Sequence, residues 1–120
     1  MNTRQKGQIG EEIAASYLKG KGLEVLKRNF ICPAGEVDII GKQGDEICFI
    51  EVKNWNGLSI EHLEYSVNRG KQRRIINTSK HYLAENRTFQ DCRIRYDVVY
   101  ISAMGEEIRH IPHAFTETGN

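Results

Sequence analysis

The sequence of 120 residues lacks the long apolar run that a membrane-spanning helix needs, since such a helix takes about 20 consecutive apolar residues. Its three cysteines (Cys32, Cys48 and Cys92) form no C-x-x-C pair, which indicates neither a disulfide framework nor a zinc knuckle. Internal repeats, low-complexity segments and linkers are also missing, and the basic N-terminus precedes acidic residues instead of an apolar signal segment. We therefore expect one cytoplasmic domain spanning residues 1–120, with no membrane partner.

An excess of charge of one sign is also lacking, because the formal net charge is only +1. This value alone does not indicate a nucleic-acid partner. The charges are unevenly distributed, however, and no acidic residue occurs from Tyr65 to Ala84. The basic residues in this stretch are Arg69, Lys71, Arg73, Arg74 and Lys80. Such a run is typical of a solvated helix face and equally of a phosphate-binding face.

Histidine is sparse and scattered, and only His110 and His113 lie close together. The sequence shows no evident carboxylate or thiol partner for this pair. A metal site at these histidines is therefore disfavoured.

Hydrophobic periodicity predicts an α/β fold in the order α-β-β-β-α-β-β, with a central mixed sheet flanked by helices. The main helices are predicted at residues 3–19 and 69–85, and a short helix at the start of residues 59–68. Strands are predicted at residues 23–31, 35–40, 49–53, 94–101 and 108–111. We expect a glycine-rich turn at residues 41–46, and we expect Pro112 to end the last strand.

Two neighbouring strands of this predicted sheet carry acidic residues, Asp38 on the first and Glu51 on the second. The side-chain period of two places Glu51 and Lys53 on one face, and Asp38 joins them if it projects from that face. Mg²⁺ and Mn²⁺ bind carboxylate oxygens together with substrate phosphate. The pattern therefore predicts a divalent-metal site with a cation beside it, as phosphodiester hydrolysis requires.

A second interpretation treats Asp38, Glu51 and Lys53 as cross-strand surface charges on a half-exposed sheet face. The apolar residues on both sides of these charges favour burial instead. Burying acids without compensation is costly, and a metal ion would compensate them.

Glu11 is a candidate third acid at the border of the apolar stripe of the first helix. Gly7 and Gly10 lie beside it, and each costs about 1 kcal/mol relative to alanine in a helix interior. Their presence indicates the close approach of another backbone or of a ligand. The alternative is that Glu11 is a carboxylate favoured by the helix dipole.

Several motifs occur together along essentially the whole chain: Gly7-x-x-Gly10-Glu11, Arg28-Asn29, Gly35-Glu36-Val37-Asp38, Phe49-Ile50-Glu51-Val52-Lys53, Lys71-Gln72-Arg73-Arg74-Ile75, Tyr96-Asp97-Val98-Val99 and His110-Ile111-Pro112-His113. In this combination the chain resembles the UPF0102 family of small bacterial proteins. That family in turn resembles Holliday-junction resolvases among the PD-(D/E)xK nucleases. The resemblance implies a restriction-endonuclease-like core. It also implies that Glu11, Asp38, Glu51 and Lys53 are catalytic, with the three acids as metal ligands.

The same resemblance implies that Lys71 and Gln72 approach substrate phosphate, and Arg74 on the acid-free helix is a further predicted contact. Family members usually read E-V-K-T-R at the second acidic strand, whereas this chain has Asn54-Trp55 after the lysine. The phosphate contact of that arginine is therefore not implied here. Trp55 either stacks on a base or packs against the protein.

The leading hypothesis is an endonuclease that uses Mg²⁺ or Mn²⁺ to hydrolyse DNA phosphodiester bonds, with branched or recombination intermediates as candidate substrates. The alternative is a non-catalytic nucleic-acid-binding module with a nuclease-like fold. A purely structural interaction domain leaves the acid-free basic helix unexplained. Symmetric cutting of two strands favours a homodimer.

Overall fold

The computed structural model describes residues 3–55, 67–102 and 107–117. Helix α1 spans Thr3–Gly20 and α2 spans Arg69–Glu85, with a short 3-10 helix at Arg87–Phe89. The strands are β1 Glu24–Cys32, β2 Gly35–Gln43, β3 Glu46–Trp55, β4 Arg93–Ser102 and β5 Ile108–Phe115. These elements confirm the predicted α/β class and element order. The predicted short helix starting at residue 59 lies outside the described residues.

The five strands form one mixed sheet in the spatial order β1-β2-β3-β4-β5. Strands β3 and β4 run parallel, whereas the other neighbouring pairs are antiparallel. A parallel pair needs a crossover connection, and α2 lies in the connection between β3 and β4. No helix among the described residues is long and apolar enough to cross a membrane.

The two helices cover opposite faces of the sheet. Ala14 and Leu18 of α1 belong to the same buried cluster as Ile50 of β3. Ile75 of α2 belongs to the other cluster, with Phe49 of β3. Burial on both faces explains why the first half of β3 reads as a nearly continuous apolar run.

The predicted turn at residues 41–46 is wrong in its extent, because Gly41 lies inside β2. A Cβ at Gly41 would clash with the side chain of Leu23 and would lie 3.1 Å from the carbonyl oxygen of Glu24. This glycine therefore serves close packing and not a turn. The chain reverses at Gly44 and Asp45, where Gly44 has a φ of +61°.

The prediction that Pro112 ends the last strand is also wrong, because β5 continues to Phe115. Strand β5 is an edge strand, and its register with β4 shifts between the pairs Val98–Ile111 and Tyr96–Phe115. Edge strands and bulges are the places in a sheet that tolerate proline, because no ladder hydrogen bond is lost there.

A buried polar network joins β5 to β4 around Asp97, whose side chain is fully buried. Its carboxylate accepts hydrogen bonds from Nε and Nη2 of Arg95 at 3.0 and 2.9 Å, and from the backbone N–H of His113 at 3.2 Å. Nε2 of His110 lies 2.7 Å from Oδ2. The sequence-based view that His110 has no carboxylate partner is therefore wrong. Burial raises the pKa of Asp97, but hydrogen bonds from His110 and Arg95 outweigh it and lower the pKa overall.

We expect Asp97→Asn to lower the free energy of unfolding by about 2 to 3 kcal/mol at pH 7, because the buried Arg95 would lose the charge of one of its two carboxylate partners and would keep only Glu46, whose Oε1 lies 3.0 Å from Nη1. A carboxylate with a lowered pKa stabilises the fold above its unfolded pKa of about 3.9, and this contribution is lost as the pH falls through the lower folded value. The penalty should therefore shrink in urea titrations at pH 3. Asp45→Asn is the control, because its ion pair with Arg93 is exposed. A penalty independent of pH would contradict this interpretation.

Candidate active site

The site begins where β2 and β3 separate. Their ladder ends at the pair Ile39–Ile50, so Asp38 and Glu51 are the first residues beyond it on the two strands. The backbone N–H of Val52 donates to Oδ2 of Asp38 at 2.8 Å. The side chain of Asp38 thus forms a hydrogen bond to β3 at the point where the backbone hydrogen bonds between the two strands end, and this bond holds Asp38 against β3.

Asp38, which is half-buried, and Glu51, which is only 6% exposed, form a pair of acids joined by a side-chain hydrogen bond. Burial, the hydrogen bond to Glu51 and the charge of Glu51 together raise the pKa of Asp38 to about 9, against the opposing effect of the Val52 N–H. Two poorly solvated carboxylates this close cannot both ionise without a compensating charge. Without an added cation, the pair therefore holds a proton at neutral pH.

Lys71 supplies a positive charge to this pair from the first turn of α2. Its Nζ lies 3.0 Å from Oε2 of Glu51. Asn68 caps the helix, since its side chain accepts a hydrogen bond from the backbone N–H of Lys71 at 2.9 Å. The start of the helix is therefore positioned against the ends of the two strands.

The acids and the basic helix line one pocket of about 160 Å³. We call it the acidic pocket, and its lining residues are Gly35, Glu36, Asp38, Glu51, Lys71, Arg74 and Ile75. A phosphate group bound at its mouth would meet cations on one side and acids on the other.

Glu11 reaches the same region from α1. Its pKa is raised mainly by burial, and the charges of Glu36 and Glu51 raise it further, against a hydrogen bond with Asn29. One carboxylate oxygen, Oε1, is buried without a hydrogen-bond partner among the described residues. Gly10, on the same helix, faces a side chain of β3: a Cβ there would lie 3.4 Å from Oδ1 of Asn54, whereas a Cβ at Gly7 would have no described atom within 4 Å. The prediction that another backbone lies close to these glycines is therefore wrong, and the close approach of a ligand stays a prediction.

Asn29 is a residue whose role the sequence did not predict. Its φ is +53°, a left-handed conformation that asparagine tolerates better than most residues. It lies on β1 between the pairs Arg28–Ile39 and Phe30–Val37, next to the position of Asp38 on β2. The only signal in the sequence was its place in the Arg28-Asn29 motif.

The other predicted site residues differ in their positions. Lys53 is half-buried, and strand alternation places it on the face of Glu51. It pairs with no acid in the described part of the chain. Gln72 lies outside the acidic pocket, where its Nε2 donates to the carbonyl oxygen of Val67 at 2.9 Å. Lys80 forms an ion pair with Glu117 at 2.5 Å, also away from the pocket.

No group of three or more histidine, cysteine, aspartate or glutamate side chains is arranged to hold a metal among residues 3–55, 67–102 and 107–117. Mg²⁺ does not need such a group, because it keeps several waters and binds one or two carboxylates plus substrate phosphate. Asp38 and Glu51 provide those two carboxylates, and the unpartnered oxygen of Glu11 is a further oxygen donor nearby. The oxygen-only donor set therefore fits Mg²⁺ or Mn²⁺.

Comparison with known proteins places these residues in a family. The model described as "Uncharacterised protein family UPF0102" matches residues 10–101, a range that includes every acid and base of the pocket. The chain belongs to the UPF0102 family. A UPF0102 protein of Lachnoclostridium phytofermentans is 38% identical over 120 residues, which is 100% of both chains. UPF0102 proteins of Caldicellulosiruptor saccharolyticus and Clostridioides difficile are 39% and 36% identical, covering 96% of this chain and 100% of each relative.

We expect Asp38→Asn to stabilise this UPF0102 protein at pH 8 in the presence of a chelator, by on the order of 1 kcal/mol or more. An acid with a raised pKa keeps its proton in the folded state, whereas the unfolded chain loses it above about pH 4. Stability therefore falls as the pH rises towards 9, and the amide removes this dependence. Urea titrations at pH 5 and pH 8 measure it.

Glu36→Gln is the matched control, because Glu36 lines the same pocket but is exposed. It should change the free energy of unfolding much less than Asp38→Asn does. An equal gain from Asp38→Asn at both pH values would contradict a raised pKa.

Proposed function

We propose that this protein is a metal-dependent endonuclease that hydrolyses DNA phosphodiester bonds. The observation that supports this best is the acid pair formed by the half-buried Asp38 and the buried Glu51, whose charge is balanced from the basic helix. Acids buried with a raised pKa inside a pocket are typical of functional sites, because stability alone would select against them. The restriction-endonuclease-like core implied by the sequence resemblance is consistent with the observed α/β arrangement.

The proposal gives each side chain a distinct role. Asp38 and Glu51 would hold the divalent cation, with Glu11 near it, and the bound cation would activate water and neutralise phosphate charge. Lys53, on the face of Glu51, would stabilise the negative charge that develops on the phosphate. Lys71 and Arg74 would bind the flanking phosphates from α2.

A non-catalytic DNA-binding module is the second candidate. One observation favours it: Lys71 neutralises Glu51 at 3.0 Å without any metal ion, so the acids are partly compensated within the protein itself. This alternative predicts DNA binding that requires neither Asp38 nor a divalent cation. The cleavage assay below distinguishes the two candidates.

We expect cutting of DNA only with Mg²⁺ or Mn²⁺, and we expect Asp38→Ala and Glu51→Ala each to abolish cutting while DNA binding is retained. Removing either carboxylate removes a ligand, and with it water activation. Lys53→Ala should lower the rate about 100- to 1000-fold but preserve metal binding, because an ammonium group is not a ligand. The assay compares linear duplex, single strand and a four-way junction. Glu24→Ala, an exposed acid at the start of β1, is the control.

Two results would refute the enzyme. One is the absence of metal-dependent cutting on all three DNA substrates. The other is cutting by Asp38→Ala at the wild-type rate, which would identify a contaminating nuclease. If the wild-type protein binds DNA but shows no metal-dependent cutting, the non-catalytic module is favoured.

We expect Arg74→Gln to weaken binding to duplex DNA and to flatten the dependence of log K on log salt by about 0.9, the loss of one phosphate contact. Fluorescence anisotropy with Ca²⁺, which supports binding but activates water poorly, measures both. Lys80→Gln is the charge-matched control, since Lys80 pairs with Glu117 outside the pocket. If both variants change the DNA affinity and the salt dependence equally, α2 attracts DNA only through its overall positive charge, and Arg74 makes no special phosphate contact.

A further inference from the structure

We propose that Lys71 is an internal counter-ion, which occupies the acidic pocket in the absence of a divalent cation and which the cation displaces from Glu51. The displaced ammonium group then becomes available to substrate phosphate. The inference rests on the proposed function and extends it: the pocket would be closed by its own lysine until a cation binds.

The first support is the geometry of the ion pair. Glu51 has only 7% of its side chain exposed, so its charge needs a partner inside the protein. Nζ of Lys71 provides that partner at 3.0 Å, and Asp38 shares a hydrogen bond with Glu51. Among the described residues, Lys71 is the only base with a direct ion pair to this acid.

The second support is electrostatic exclusion. A divalent cation bound to Oε2 of Glu51 would lie within a few ångströms of the Lys71 ammonium group, and like charges at that distance repel strongly in a poorly solvated pocket. Each cation therefore weakens the binding of the other to Oε2. We infer that the ammonium group moves away from Oε2 when the divalent cation binds.

The third support is that Lys71 can leave without disturbing α2. Its side chain is 37% exposed, and the lysine stem is flexible. Its backbone N–H stays bound to the cap residue Asn68, so the helix start keeps its position. Arg74, one turn later, lines the same pocket and would remain as the fixed phosphate contact.

Displacement has a thermodynamic consequence. If the divalent cation frees Lys71 for phosphate, then cation binding strengthens DNA binding, and DNA strengthens cation binding by the same factor. Lys71 would thereby link the two events. DNA bound without a divalent cation would lack one of its phosphate contacts.

The test is calorimetric titration of Mn²⁺ alone into the full chain and its variants. We expect Lys71→Gln to bind Mn²⁺ about tenfold more tightly than wild type, because the cation no longer has to break a charge-assisted hydrogen bond. Lys71→Arg keeps the charge and should stay close to wild type. Arg73→Gln is the matched control, since it removes the same charge from an exposed neighbour on α2. It should change the affinity less than about twofold, as expected for a screened charge.

Each outcome has a defined meaning. The counter-ion is supported if Lys71→Gln binds Mn²⁺ more tightly than wild type while Lys71→Arg and Arg73→Gln do not. It is also supported if Lys71→Gln binds Mn²⁺ and wild type shows no measurable binding. If wild type binds Mn²⁺ and Asp38→Ala does not, but Lys71→Gln binds no more tightly than wild type, the metal site stands and the counter-ion is refuted. Failure of wild type and Lys71→Gln alike to bind Mn²⁺ refutes the metal site itself, and the counter-ion with it. Circular dichroism verifies that every variant is folded.

A second readout uses a short linear duplex with and without Ca²⁺. Ca²⁺ should strengthen DNA binding more in wild type than in Lys71→Gln, because only wild type has an ammonium group to release. An equal gain in both proteins would overturn the proposed linkage.

Discussion

The pairing of two poorly solvated carboxylates, the half-buried Asp38 and the buried Glu51, is the constraint around which the rest of the structure is arranged. Their proximity is unfavourable by itself, because each carboxylate has lost part of its hydration and because two negative charges repel each other. The protein offsets this cost with the backbone N–H of Val52, with a proton on the pair and with the Lys71 ammonium group. The N–H belongs to β3 and the ammonium group to α2, while Asp38 itself lies on β2. The site therefore exists only when β2, β3 and α2 are all in place.

The sheet topology brings these segments together. The parallel pairing of β3 and β4 requires a crossover, and α2 in that crossover lies over the face that carries Glu51. Close approach of α2 to β2 depends on Gly35, where a Cβ would lie 3.1 Å from Oγ1 of Thr78. Gly35 also has a φ of +148°, which favours glycine. The same residue thus serves the start of β2 and the fit of the helix.

Asp97 on β4 and Asp38 on β2 show how differently one sheet can treat a carboxylate. Asp97 receives hydrogen bonds from Arg95, His110 and a backbone N–H, and its pKa is lowered. Asp38 receives one backbone hydrogen bond and faces a second acid, and its pKa is raised. The first acid is fully satisfied and joins β5 to the sheet. Asp38 has fewer partners within the protein, and a bound cation could supply the positive charge that it lacks. For that reason Asp38 is the candidate for chemistry.

Local patterns predicted the elements of the fold well. The bounds of α2 at residues 69–85 match its sequence periodicity, because burial of one helix face leaves a regular apolar repeat. The spacing of Glu51 and Lys53 likewise predicted a shared face, since strand side chains alternate. Local patterns failed at Pro112 and Gly41. Proline was tolerated because β5 is an edge strand, and the glycine was needed because Leu23 packs onto it.

The sequence by itself determined the order of helices and strands, the identity of the acids and the basic character of α2, because these properties repeat or occur within short segments. Only the tertiary structure decided which charges meet. The contacts of Lys71 with Glu51, of Asn29 with Glu11 and of His110 with Asp97 join residues from separate elements. No periodicity encodes such contacts, since they depend on where a strand ladder ends and how a crossover helix packs on the sheet.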